Sequence, residues 1–184
     1  MSVNAPINNL GSLAPNFNLL SVNGNFYNLH NLKGKKGTVI AFICNHCPYV
    51  INIIERLVFE SHELNKIGIS TIGIMSNDVD TYPDDSYEKM KIFSQKYKFN
   101  FQYLYDSSQD VAKKYNAVCT PDIYGFNKNL ILNYRGRIDS QTMTNNKKPI
   151  KRELFYAMES ISKNKELTKQ QFNSFGCSIK WKIK

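Results

Sequence analysis

Cys44 and Cys47, in the run Cys44-Asn45-His46-Cys47-Pro48, are the residues of this chain best suited to chemistry. Two intervening residues let the sulfurs approach closely enough to close a disulfide. Where a helix follows the pair, the first sulfur lies beside unpaired backbone N–H groups and the positive end of the helix dipole. That setting favours a thiolate, which is the nucleophile of disulfide exchange. The spacing therefore makes Cys44 the attacking thiol and Cys47 the resolving one. A protonated His46 would add positive charge beside Cys44 and make the pair more oxidising. Pro48 suits the first turn of the helix, where its missing N–H costs nothing.

Other uses of such a pair are weaker. Half a zinc site needs two further ligands at metal spacing, and Cys119, Cys177, His30 and His62 are each isolated. No metal is therefore expected. Copper held by the two thiols with a third ligand is one alternative, and a buried pair without chemistry is another. A second feature is Cys119-Thr120-Pro121-Asp122, ahead of a predicted strand. X-Pro bonds are the ones that adopt the cis form, usually in a tight turn, although a proline can also simply begin a strand.

The elements that position these residues can be read from hydrophobic periodicity. Gly11–Phe17 is an extended lead-in. Phe17–Ser21 and Phe26–Tyr27 flank Asn23-Gly24 as a hairpin, and Leu29–Leu32 is a brief helical turn. Thr38–Ile43 is an apolar run without alternation, the mark of a strand covered on both faces. It leads straight into the cysteine loop. From Pro48, the residues Val50, Ile53, Ile54, Leu57, Val58 and Leu64 recur at helical spacing until Gly68. Ile69–Met75 is a second buried strand, 77–86 a polar loop and Tyr87–Tyr97 a helix. Phe101–Tyr105 is a third strand. Ser107–Tyr115 is a helix begun by the Asp106/Ser107 cap signal. Asp122–Phe126 and Leu130–Tyr134 form a hairpin, Lys151–Ser162 a last helix, and 164–184 an irregular tail. A βαβ unit joined to a ββα unit implies a single α/β domain over residues 1–184, with three layers and a mixed sheet. In a thioredoxin-type layout of this kind, a cis-proline loop at Pro121 faces the cysteine pair and offers the backbone of Thr120 to a substrate strand.

Bulk properties narrow the class. With 184 residues, 42% hydrophobic and 21% charged, the chain is of a globular class. It is long enough to hide roughly 70% of its unfolded surface. No apolar run approaches the roughly 18 residues of a membrane span, and Met1–Pro6 has neither the basic start nor the apolar stretch of a secretory signal. A cytoplasmic location is expected, with no membrane partner. The four cysteines then read as reactive or buried thiols rather than a structural disulfide framework. The net charge is +9, and ten of the 24 basic residues fall in the last 45 positions beside only three acidic ones. No arginine- and aromatic-rich reading motif accompanies that charge, so nucleic acid is not an expected partner. Arg135, Arg137 and Asp139 suit either an anionic partner or local ion pairs.

Several stretches together resemble the peroxiredoxin-like branch of the AhpC/TSA (redoxin) group in the thioredoxin superfamily. They are Gly11–Phe17, Phe42–Val50, Ser76-Asn77-Asp78 with Tyr82–Ser86, Cys119–Asp122, Tyr134–Asp139 and Gly176–Lys182. The resemblance implies a thioredoxin-like fold with an N-terminal β-hairpin extension, an inserted helix and strand, and a cis bond before Pro121. Peroxiredoxins proper carry Pro-x-x-x-Thr-x-x-Cys, whose cysteine would align with Cys47. Here the threonine position is Cys44 and the proline position is Ile40, and Cys119-Thr120-Pro121 occupies the stretch where an activating arginine is expected.

The expectation that follows is a thiol–disulfide oxidoreductase of antioxidant or redox-homeostasis type. Cys44 and Cys47 are its redox pair, and His46, Pro48, Thr120 and Pro121 shape the site. No cofactor is expected. The substrate is a protein or small-molecule disulfide, restored by a cellular thiol reductant, and a homodimer is allowed. The alternatives are a thiol peroxidase acting on hydroperoxides and a metal- or partner-binding module with thiol ligands. Cys119, more than Cys177, is expected to exchange disulfides with the pair.

Overall fold

The computed structural model describes residues 1–144, 149–167 and 170–183. Seven strands form its central sheet. β2 (Asn18–Ser21) and β3 (Phe26–Asn28) are the expected hairpin, and α1 (Leu29–Leu32) follows directly. β4 (Gly37–Phe42) leads into the cysteine loop and then α2 (Pro48–Lys66). β5 (Ile69–Met75), α3 (Tyr87–Lys96) and β6 (Gln102–Tyr105) complete the parallel half. α4 (Asp110–Lys114), the short β7 (Cys119–Thr120), β8 (Asp122–Asn127), β9 (Leu132–Gly136) and α5 (Glu153–Ser162) make the rest. The strand order is β3-β2-β6-β5-β4-β8-β9. β4 runs parallel to β5, and β5 to β6, while β4–β8, β8–β9 and β2–β6 are antiparallel. The sheet is mixed, as the element pattern requires.

β4 explains the layers. All six of its residues are buried, and they divide by parity because successive side chains face opposite sides of a sheet. Val39 and Ala41 join a core with Ile53, Ile54 and Leu57 of α2, Met90 of α3 and Met158 of α5. Ile40 and Phe42 join the other core, with Leu29 of α1 and Val111 and Ala112 of α4. A continuous apolar strand is thus sandwiched between two helical layers.

Three local departures from the sequence pattern have identifiable causes. α4 begins at Asp110 rather than Ser107 because Gln109 takes a left-handed conformation. Asp106 still caps the helix, but from a distance, accepting the N–H groups of Val111 and Ala112 at 3.3 and 2.9 Å. β9 begins at Leu132 because Leu130 also lies at positive φ, and the Asn127 side chain accepts from both Asn129 and Ile131. The 77–86 loop contains a 3-10 turn, Pro83–Asp85, and buries Asn77 and Asp85.

The tail is not irregular throughout. β10 (Phe175–Ser178) crosses the domain and pairs antiparallel with both β1 (Ser2–Asn4) and β7, giving a second, three-stranded sheet. Three- and four-residue strands carry too little alternation to register as a pattern, and their pairing joins opposite ends of the chain. Positions 168, 169 and 184 of the expected tail lie outside the described residues.

Candidate active site

The cysteine loop leaves β4 at the carboxyl end of the strand. Ile43 N–H still pairs with the Ile74 carbonyl at 2.9 Å, after which the chain turns through Cys44, Asn45 and His46. Cys47 is the N-cap of α2 and Pro48 its first residue. The Cys47 carbonyl accepts the first helical bond, from Ile51 at 2.9 Å.

Both sulfurs converge on Thr120. Cys44 Sγ lies 3.2 Å from Thr120 Oγ1, and the Cys47 thiol donates to the Thr120 carbonyl at 3.1 Å. The Thr120–Pro121 peptide is cis, so the proline loop faces the pair as the resemblance implies. The loop is anchored from behind. Asp122 receives Arg135 Nη2 at 2.8 Å, and the buried Arg135 also donates to Asn8 and to the Asn116 carbonyl while lying over the Tyr124 ring. Arg137 pairs with Glu153 through two bonds at 2.7 and 2.8 Å, and Arg56 with Asp139 at 2.6 Å. Arg135, Arg137 and Asp139 therefore make local ion pairs.

The helix starts one residue after Cys47, and the contact between the two thiols sets them apart. Cys47 is drawn down to about 5, first by the Cys44 thiol donating to it and then by the Cys177 side chain and the Val50 and Cys177 backbone N–H groups. The Val50 contact is close without the alignment of a full capping bond. Cys44 is pushed the other way, by that same hydrogen bond, by burial and by the charge of Asp85. The thiol that the sequence pattern marks as the attacking one is thus the harder to ionise. Burial opposes ionisation at both, and Cys47 must release the Thr120 carbonyl to ionise, yet it alone faces several N–H and S–H donors.

His46 does not supply free positive charge to Cys44. Its Nδ1 lies 2.8 Å from Asp85 Oδ2, and Asp85 raises its pKa. Asp85 is fully buried and ties the loop down. It accepts the Asn45 N–H and the Asn77 side chain, each at 2.7 Å, while Tyr103 donates to Asn45 Oδ1 at 2.9 Å. The His46 ring stacks on Tyr82, over which Lys180 Nζ sits. Asp85, Asn77 and Tyr103 come from remote segments and left no signal in the local spacing. Cys44, His46 and Asp85 do bring their donor atoms within 4.8 Å of one another, and they are the described residues placed to hold a metal ion. Two of the three are already paired to each other.

The remaining two cysteines differ in what they face. Cys119 is buried, points its thiol at the Pro121 carbonyl at 3.4 Å, and is pushed far up by burial. Cys177, on β10, stands opposite Thr120 in the ladder and touches Cys47 through its side chain and its backbone. Burial and the Cys47 contact raise it to about 11. The segment after it is fastened beside the site: Asp78 N–H and Gln109 Nε2 both bond the Lys180 carbonyl, at 2.8 Å each, and Ile179 N–H bonds Val118. A recess of about 610 Å³ between β9 and α5 is lined by no cysteine.

A mixed sheet between two helical layers, with a cysteine pair at a strand-to-helix junction facing a cis-proline, defines a thioredoxin-like fold. Residues 10–141 match the AhpC/TSA family, and the chain belongs to that family. It is similar to an uncharacterised conserved protein from Geobacillus kaustophilus, at 39% identity over 100% of this chain and 98% of that one, with a TM-score of 0.95. A hypothetical protein from Sinorhizobium meliloti 1021 is 33% identical over 98% of both chains, with a TM-score of 0.93. The thioredoxin domain of a thiol-disulfide oxidoreductase from Bacteroides vulgatus shares the fold at 17% identity, over 83% of this chain and 97% of that one, with a TM-score of 0.64. No curated protein matches the chain. Among the described residues no helix is long and apolar enough to cross a membrane.

Proposed function

We propose that the protein is a thiol–disulfide oxidoreductase whose Cys44 and Cys47 alternate between dithiol and disulfide. The observation that carries this reading is the meeting of both sulfurs at Thr120, beside the cis-proline and at the start of α2. The easier ionisation of Cys47 gives it the attacking role. Its thiolate attacks one sulfur of a partner disulfide, forming a mixed disulfide and releasing the other sulfur as a thiolate. Cys44 then loses its proton and attacks Cys47, closing the internal disulfide and freeing the second partner thiol. The partner gains two electrons and the protein loses two; a cellular thiol reductant restores the dithiol. A cytoplasmic setting would supply that reductant. The chemistry needs no cofactor.

A second reading is a thiol peroxidase. Cys47 is the cysteine that aligns with the family's peroxide-reactive position, and it is the one that ionises readily. Insulin reduction and hydroperoxide consumption, measured side by side on the wild type, Cys44→Ser and Cys47→Ser, separate the two. Disulfide reduction lost in both variants supports the dithiol reading. Peroxide turnover that survives in Cys44→Ser alone supports the peroxidase. Neither activity, with stoichiometric Cu(I) binding, would leave a thiol-based binding module.

A further inference from the structure

As the domain is folded, the two sulfurs of the pair are covered: Cys44 is 1% exposed and Cys47 0%. The chain's own strand packs beside Cys47. β10 lies antiparallel on β7 with Cys177 opposite Thr120 and Ser178 opposite Cys119. That is the backbone a substrate strand would be expected to use. Its fit is close. A β-carbon on Gly176 would lie 2.6 Å from the Thr120 carbonyl carbon and 2.9 Å from Pro121 N, so only glycine permits this approach. β1 pairs with the far edge of β10, Ser2 opposite Cys177, and the following residues are tied down through Ile179 and Lys180. The strand is held in register on both edges, and the residue it presents to the buried pair is a cysteine. Cys47 donates to the Thr120 carbonyl, Cys177 is paired opposite Thr120 on the strand, and Cys177 packs against the core cluster that holds Cys44 and Cys47.

We infer that β10 is a built-in substrate strand and that Cys177 is a third redox thiol, exchanging with Cys47. The inference rests on the proposed redox use of the pair, which supplies the Cys44–Cys47 disulfide. Cys177 attacks Cys47 Sγ as it loses its proton. A Cys47–Cys177 bond forms, the Cys44–Cys47 bond breaks, and Cys44 leaves as a thiolate that takes up a proton. Two electrons move within the protein, no net oxidation occurs, and no further reagent is consumed. The exchange carries the disulfide from two buried sulfurs to one that includes the partly exposed Cys177, where a cellular reductant has access. Cys119 has no share in this, since its thiol faces the Pro121 carbonyl.

The test is linkage mapping after oxidation with one equivalent of diamide, at low protein concentration, with acid quenching and alkylation before peptide mass spectrometry. The wild type is expected to yield both Cys44–Cys47 and Cys47–Cys177 peptides. Cys44→Ser is expected to place nearly all of its disulfide at Cys47–Cys177, with roughly a tenfold drop in Cys177 alkylation, as expected for a thiol held beside its partner. A wild type without any Cys47–Cys177 link overturns the inference, and this arm does not depend on any variant folding. So does a Cys44→Ser protein whose Cys47 is captured by added glutathione while Cys177 stays alkylatable. Cys177→Ser tests the parent reading separately. If it forms no Cys44–Cys47 link, the dithiol reading fails and the exchange fails with it; if it forms that link while the wild type gives no Cys47–Cys177 peptide, the dithiol reading stands and the exchange alone is overturned.

Discussion

Gly176 of the last strand packs flat against the Thr120–Pro121 peptide, leaving no room for a β-carbon between them. The atoms in the way are backbone, which cannot swing aside as a flexible side chain would. Gly176→Ala must therefore push β10 off β7 or shift the proline loop. Overpacking of this kind costs about 1–3 kcal/mol. The variant should unfold at lower urea than the wild type and should expose Cys47 to alkylating agents faster under native conditions. An unchanged midpoint together with unchanged protection would mean that the close approach is not what seats the strand.

Ionisation of the pair can be followed by thiolate absorbance in the ultraviolet. One thiol is expected to ionise with a pKa of about 5, and that step should vanish in Cys47→Ser. In Cys44→Ala the step should persist but move up toward the ordinary thiol range, because the strongest donor to Cys47 has been removed. Persistence of the low step in Cys47→Ser would reassign the charge to Cys44.

His46 provides a pH-dependent contribution to stability with a definite sign. Its pKa is raised in the folded protein by Asp85, so the protonated form binds more favourably in the native state than in the unfolded one. The contribution is fully present below the unfolded value of about 6.5. It is lost as pH rises through the folded value. Urea titrations of wild type and His46→Asn should differ by about 1 kcal/mol in mild acid and converge in alkaline solution. A difference that stays constant across this range would show that His46 acts through packing on Tyr82 rather than through its charge.

Arg135 and Asp122 form a buried pair directly behind the proline loop. Removing one partner strands the other charge away from water, which costs about 3–5 kcal/mol. Arg135→Met should show this loss in chemical denaturation, and the double variant with Asp122→Leu should recover a large part of it. Equal losses in the single and double variants would argue that the hydrogen bonds to Asn8 and Asn116 matter more than the ion pair.

The central sheet was legible because its strands are long, apolar and regularly broken by glycine and polar loops. Ile69–Met75 was bounded to the residue, and the Pro48 helix start was announced by its own proline. The pair was visible for the same reason, since both cysteines and the junction that presents them are contiguous. What the sequence did not reveal depends on contacts between distant segments. Asp85 sits in a polar loop that reads as solvent-facing, yet it is buried beneath the cysteine loop and neutralises the histidine that local reasoning had assigned to Cys44. Cys47 is the more easily ionised thiol because the Cys44 and Cys177 side chains and the Val50 and Cys177 N–H groups gather at its sulfur, contacts that spacing alone does not resolve. The place of Cys177 beside the pair was not visible because the strand that carries it has no partner nearby in sequence.

The small sheet of β1, β10 and β7 also divides the domain energetically. Two of its strands come from the chain ends, and it shares with the large sheet only the turn at Pro121. Few apolar side chains lie within it, so its hydrogen bonds should break in an opening separate from global unfolding. Amide exchange at Cys177 and Ile179 would then be faster than in β4 or β5, and would report how often the thiols are uncovered while the rest of the protein stays intact.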